Sequence, residues 1–193
     1  MARHIAIIDG HPDPQPERFC HALANAYTEG AVEGGHEVRG LSIAALDIPI
    51  LRSQKEWQSK ELTGDIKACQ EAISFADHVV IIFPLWLGTM PALLKAFLEQ
   101  VFRPGFAIQT DRKTMMPGLL KGKSARIIVT MGMPKFIYRW YFRAHSLKSL
   151  ERNILKFAGM GPIAETIIGS IDADRAANTA RLAEVRELGR RGI

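Results

Sequence analysis

The sequence predicts an α/β protein, a three-layer, doubly wound sheet of five parallel strands flanked by helices, and three observations carry that expectation. Ile5-Ala6-Ile7-Ile8 and Val79-Val80-Ile81-Ile82 are apolar runs without polar alternation, which suits strands covered on both faces. Each strand pattern is followed by apolar residues at helical spacing, and that alternation argues parallel pairing with right-handed crossovers. Finally, 193 residues with 47% hydrophobic and 23% charged content, and no composition break, describe a single domain over 1–193 with a sizeable core.

The elements follow in order. The first strand, 5–8, ends at Asp9-Gly10, and 10–16 is a loop because Pro12, Pro14 and Pro16 cannot donate backbone hydrogen bonds. A helix is predicted over 18–32, with Phe19, Leu23, Ala26, Tyr27 and Val32 on its buried side and Gly34-Gly35 as its stop. The second strand, 36–43, has Val38 and Leu41 as its buried positions, and 47–59 is a connection containing Pro49 and Trp57. A helix over 61–75 places Ile66, Cys69, Ile73 and Ala76 at one spacing. The third strand, 79–82, leads through Phe83-Pro84-Leu85-Trp86-Leu87-Gly88-Thr89-Met90-Pro91 into a helix over 92–102 that Pro91 can begin. The segment 103–123 has no sustained period, and a loop of that length is usually a lid, a binding loop or a subunit contact. The remaining elements are a strand at 124–129, a helix at 141–157, a strand at 166–168 and a helix at 173–188, making five strands and five helices.

The formal charge of +5 is compatible with nucleic acid, a membrane surface or a small anion, but the basic residues are scattered among acids, so nucleic acid is not expected. Cys20 and Cys69 have no metal-like or CxxC spacing, and reduced thiols in a cytoplasmic protein are the simplest reading. No signal peptide is expected, because Met1 to His4 runs straight into a strand. The longest apolar run, 79–87, is too short to span a bilayer.

In a doubly wound sheet the ligand sits beyond the carboxyl ends of the strands, where the strand order reverses. The loops expected there are 10–17, 84–88 and 130–134. The first precedes a helix whose unpaired N–H groups suit a phosphate, with His11 and Arg18 able to add charge. It is neither G-x-x-x-x-G-K-[ST] nor G-x-G-x-x-G, so neither a P-loop nor a Rossmann fingerprint is present. In the 84–88 loop Trp86 offers a flat apolar wall, or else fills the core, and Gly88 permits close backbone approach to a ligand.

His11-Pro12-Asp13-Pro14, Phe83-Pro84-Leu85-Trp86, Pro91-Ala92-Leu93-Leu94-Lys95, Val101-Phe102 and Gly105-Phe106-Ala107 resemble the flavodoxin-like NAD(P)H:quinone oxidoreductase family. This group includes quinone reductases, modulator-of-drug-activity-type enzymes and ancillary flavoproteins of potassium efflux. The resemblance covers nearly the whole chain and implies the flavodoxin-like strand order 2-1-3-4-5. It further implies a flavin-dependent homodimer that takes hydride from NADH or NADPH and passes two electrons to a quinone-like acceptor by a ping-pong route. By position, His11, Arg18, Phe19 and Cys20 would hold the phosphate side. Pro84, Leu85, Trp86, Leu87 and Gly88 would pack on the isoalloxazine, and Thr130, Met131, Gly132 and Met133 would flank its other edge. Tyr138 and His145 match a proposed proton relay, His145 with a small gap; a surface histidine on a helix is the alternative reading for His145. The short chain favours FMN, with FAD also allowed, and no metal is implied.

This chain departs from the family at two further places. Thr130-Met131-Gly132-Met133 stands where the family has Thr-Thr-Gly-Gly, and Ile108 replaces a tyrosine that would line the acceptor pocket. The run Phe136-Ile137-Tyr138-Arg139-Trp140-Tyr141-Phe142-Arg143 fits a dimer contact or pocket wall, or peripheral membrane association. It also favours the second functional reading, a flavin- or nucleotide-binding regulatory subunit of a membrane transporter with little turnover.

Overall fold

The computed structural model describes residues 1–109, 118–173 and 175–193, Arg175 by its backbone. Its five strands are β1 (His4–Asp9), β2 (Glu37–Ser42), β3 (His78–Pro84), β4 (Ser124–Thr130) and β5 (Ile163–Ile168). They form one sheet in the order β2-β1-β3-β4-β5, with all pairs parallel. The expected topology is therefore observed. β3 is buried at every position, as its unbroken apolar run requires, whereas the edge strands β2 and β5 are only partly covered.

Alternation along the strands divides the core into two layers. Ile5, Ile7, Val80, Ile82 and Ile128 face one way, against α1 (Phe19–Glu33) and α7 (Arg175–Arg191). Ala6, Ile8, Val79, Ile81, Ile127 and Val129 face the other, against α3 (Gly64–Phe75), α4 (Ala92–Val101) and the 138–160 segment. The crossing of α1 and α7 needs glycine on both helices. A Cβ at Gly30 would lie 1.9 Å from the Arg186 carbonyl oxygen, and one at Gly189 would lie 2.2 Å from that of Tyr27. No larger residue permits backbones to approach this closely.

Several elements differ from expectation. The buried stripe of α1 is Cys20, Leu23, Ala24, Tyr27, Gly30 and Ala31, so Val32 falls off it and is 61% exposed. The 47–59 connection contains a short helix, α2 (Gln54–Gln58), which Ser53 caps by accepting the Glu56 N–H. α3 starts at Gly64 because Thr63 caps it. β3 and β4 each extend to include residues read as loop: Phe83 and Pro84 in β3, Thr130 in β4. Their pairing continues to Pro84 opposite Thr130, and the Leu85 N–H then donates to the Thr130 carbonyl at 2.8 Å.

The helix expected over 141–157 begins only at His145: α6 (His145–Ser149) runs on into a π-helical turn at Leu150–Leu155, and a separate short helix, α5 (Lys135–Trp140), precedes it. Arg143 and Ala144 are both left-handed, with φ of 52° and 49°, and this breaks the helix between α5 and α6. In the 103–123 segment, Ile108 bridges both Pro104 and Gly118; residues 110–117 of the expected lid or subunit contact lie outside the described residues. No described helix is long and apolar enough to cross a membrane.

Candidate active site

The carboxyl ends of β1, β3 and β4 meet at one rim as expected, although of the 130–134 loop only Thr130 takes part. A cleft of about 640 Å³ is lined by His11, Glu17 and Arg18 from the first loop, Phe19 and Cys20 on the first turn of α1, Pro84 at the end of β3, Trp86 beyond it, and Thr130 at the end of β4. That volume lies within the usual range for small-molecule sites.

The first loop is braced by hydrogen bonds from its own side chains. Asp9, the last residue of β1, accepts the His11 N–H on Oδ1 at 3.1 Å and pairs through Oδ2 with Nδ1 of His21. The other nitrogen of His21 lies 2.9 Å from the Asp13 carbonyl oxygen. Burial opposes a charge on His21, but the Asp9 carboxylate and the Asp13 carbonyl outweigh it, so its pKa is raised. His11 behaves oppositely. Burial and the neighbouring His21 lower its pKa, and its Nδ1 accepts the Asp13 N–H at 3.1 Å, which leaves Nε2 as the N–H of a neutral ring. The His11 ring meets Trp86 edge-on, with centroids 5.7 Å apart.

Arg18 is tied to Asp13, with Nε 2.8 Å from Oδ2, so part of its charge is spent inside the loop. Arg18 also stands at the N-cap of α1, where no side chain caps the helix and no acid occupies the first turn. The amino end of α1 thus opens on the cleft with donors free. Cys20 is buried with its Sγ 3.4 Å from the Thr130 hydroxyl, and burial pushes its thiol up to about 12.

Trp86 and Thr89 exchange backbone hydrogen bonds of 2.8 and 2.9 Å around Leu87 and Gly88, whose φ angles are 46° and 79°. This is a two-residue hairpin of the I′ kind, which needs two left-handed residues and normally avoids leucine. The Leu87 side chain is fully exposed and Trp86 is 47% exposed, so Trp86 is not a core tryptophan. The Leu87 and Gly88 N–H groups have no partner among the described residues.

The other expected residues stand elsewhere. Leu85 packs on the core, and Leu87 and Gly88 form the exposed hairpin tip, outside the cleft lining. Met131 is buried in the core, while its carbonyl and that of Met133 accept the Ile171 and Ser170 N–H groups. Gly132 is exposed beside Asp172, so of residues 130–133 only Thr130 lines the cleft. Tyr138 is buried and its hydroxyl accepts the Leu147 N–H at 3.2 Å, while His145 is exposed; neither lines the cleft.

The turn after β5 supplies a wall that was missed: Ile171, Asp172 and, on α7, Asn178, whose Nδ2 donates to the Ile171 carbonyl at 3.1 Å. The signal was available, since every strand of a parallel sheet ends at the same rim. No group of three or more potential metal ligands occurs among the described residues.

A family model described as the flavodoxin-like fold matches residues 3–191. The chain belongs to that flavodoxin-like family. Among curated relatives, the flavodoxin-like chain is 27% identical over 169 residues to an uncharacterized NAD(P)H oxidoreductase of Haemophilus influenzae, covering 86% of this chain and 83% of that protein. It is 33% identical over 128 residues to an FMN-dependent NADH:quinone oxidoreductase of Ruegeria pomeroyi, covering 58% and 63% of the two chains. Other curated relatives are longer, and the chain spans little more than half their length. Among solved structures, Smu.1420 from Streptococcus mutans superposes with a TM-score of 0.82 at 27% identity, covering 97% of this chain and 98% of that one.

Proposed function

We propose that this protein is a flavin-dependent NAD(P)H oxidoreductase that reduces a quinone-like acceptor, working as a cytoplasmic homodimer with FMN. The observation that carries the reading is the pairing, in one cleft at the strand-order switch point, of an uncapped helix amino end with an exposed indole wall. The names of the H. influenzae and R. pomeroyi relatives support the activity, and the latter supports FMN. Two free, buried cysteines accord with a reducing compartment.

The residues present fit a flavin mononucleotide. The first turn of α1, with the His11 Nε2–H and what remains of the Arg18 charge, would hold the phosphate. Trp86 and Pro84 would wall the ring, with Thr130 at its other edge. Asp9 and His21 act on the loop, fixing His11 rather than touching the ligand. When bound, the isoalloxazine would accept hydride at N5 from NADH or NADPH and return two electrons to the acceptor, the two substrates taking turns. The chain's contribution is positioning and exclusion of water along one face.

The test is spectroscopic. FMN-loaded protein is expected to bleach on addition of NADPH or NADH and to recolour with steady turnover when a soluble quinone is added. Failure to take up FMN, or FMN that never bleaches with either nucleotide, overturns the reading. The exposed Phe136, Trp140 and Tyr141 favour a second reading, a flavin-binding partner of a membrane transporter, whose signature is uptake without turnover.

A further inference from the structure

The helix α5 and the turn after it carry an aromatic cluster that packs on neither layer of the core. Phe136 is 63% exposed, Trp140 83%, Tyr141 79% and Phe142 41%. Tyr138 is the one buried residue of α5, so most of the helix stands in water. Large apolar side chains gathered on one exposed turn mark an interaction surface, whereas single ones scattered over a protein need no explanation.

The same segment is basic. Lys135, Arg139, Arg143 and Lys148 are all exposed, and no Asp or Glu stands between residues 135 and 150. None of the four cations is in an ion pair among the described residues. Acids do lie nearby: Glu165 and Glu184 line a groove of about 720 Å³ that Phe136, Arg139 and Trp140 border, and Arg126 and Arg181 in the same lining offset them. Burial and Glu151 raise the Glu165 pKa, with Arg139 and Lys148 acting against them, and Glu151 is itself paired with Lys156 at 2.6 Å. The α5 segment is left cationic.

We propose that this face docks on an anionic lipid bilayer, its exposed rings at the headgroup level and its cations on lipid phosphates. Aromatic rings beside arginines match that interface, because the rings bury their bodies while the guanidinium groups fork onto phosphate oxygens. A second copy of the chain suits the face less. A two-fold contact would set one cationic patch against another, with no carboxylate from this segment to offset them. The face also adjoins the first cleft. The Ser146 hydroxyl lies 3.2 Å from that of Thr89, whose backbone exchanges hydrogen bonds with Trp86 on the cleft lining, and the fully exposed Leu87 tips the same hairpin. Where the flavin reading holds, docking brings the cleft's mouth to the phase in which apolar quinones dissolve.

Vesicles of equal parts phosphatidylglycerol and phosphatidylcholine serve as the probe, with pure phosphatidylcholine as the comparison. Neither contains protein, so no transporter can supply the contact. The full chain, with or without FMN, is expected to co-sediment saturably with the anionic vesicles, and less so as salt is raised. Trp140→Phe is expected to keep that binding while shrinking the blue shift of tryptophan emission that accompanies it. Trp140→Ser combined with Tyr141→Ser should weaken binding by about tenfold or more. Arg139→Gln combined with Arg143→Gln should weaken it by up to about fivefold for each charge removed. Thermal midpoints should change little in either double variant, because all four side chains are exposed. Absence of binding to anionic vesicles, equal binding to pure phosphatidylcholine, or binding indifferent to both double variants overturns the proposal. So does sedimentation in which the wild type self-associates and the aromatic double variant is monomeric, which would make the face a contact between copies. None of these readouts requires that FMN bind.

Discussion

The imidazole of His21, on the first turn of α1, is hydrogen-bonded to the carboxylate of Asp9, the last residue of β1, and so closes the base of the loop that carries His11. The pair joins strand to helix across the loop's three prolines, which cannot make such links through their own nitrogens.

Because its pKa is raised in the folded chain, His21 contributes stability that is complete below its unfolded value of about 6.5 and is lost as the pH climbs through the raised one. His21→Gln should therefore cost about 2 kcal/mol at pH 6 and less at pH 9. Thermal midpoints of both proteins across that range check it: a gap that widens with pH contradicts the assignment.

Trp86→Ala should weaken FMN binding about tenfold, on the scale of one lost aromatic contact, and shift the flavin-free midpoint little, because half of the indole is already in solvent. Flavin fluorescence titration and melting of the flavin-free protein separate the two effects.

Tyr138→Phe should lower stability by about 1–2 kcal/mol, because it leaves the buried Leu147 N–H without its acceptor. If the phenol acts only in packing, kcat with a soluble quinone should stay within about twofold, less than the tenfold that 1.4 kcal/mol on the barrier would bring. A large fall in kcat at unchanged stability would restore the relay that the family resemblance implied.

Gly30→Ala should destabilise by about 3 kcal/mol, lowering the midpoint by roughly 6–12 °C, since its methyl would strike the Arg186 backbone rather than a movable side chain. Gly35→Ala cannot serve as a neutral control, because its φ of 75° disfavours any side chain, but Gly64→Ala, with open space around it, can.

The sheet was legible because its signals are local. Ile5 to Ile8 and Val79 to Ile82 are short, β-branched-rich apolar runs of strand length, and loops after parallel strands must share a rim. The cleft's first and third loops followed from their prolines and Trp86. What could not be read were contacts set by distant chain. The helix break at Arg143-Ala144 has no glycine or proline to announce it, and only the folded chain shows that the Tyr138 hydroxyl is taken by Leu147. The wall of Ile171, Asp172 and Asn178 was legible only through the shared rim of parallel strands, since its residues carry no motif of their own.

The glycine-lined crossing of α1 and α7 also ties the cleft to the far side of the helical layer. The Gly30 side of α1 lies against the Arg186 backbone, and Asn178, earlier on the same α7, walls the cleft at whose rim α1 begins. Any spreading of the two helices therefore shifts one wall of the cleft against another, so a slackened seam remote from the rim alters the shape of the mouth.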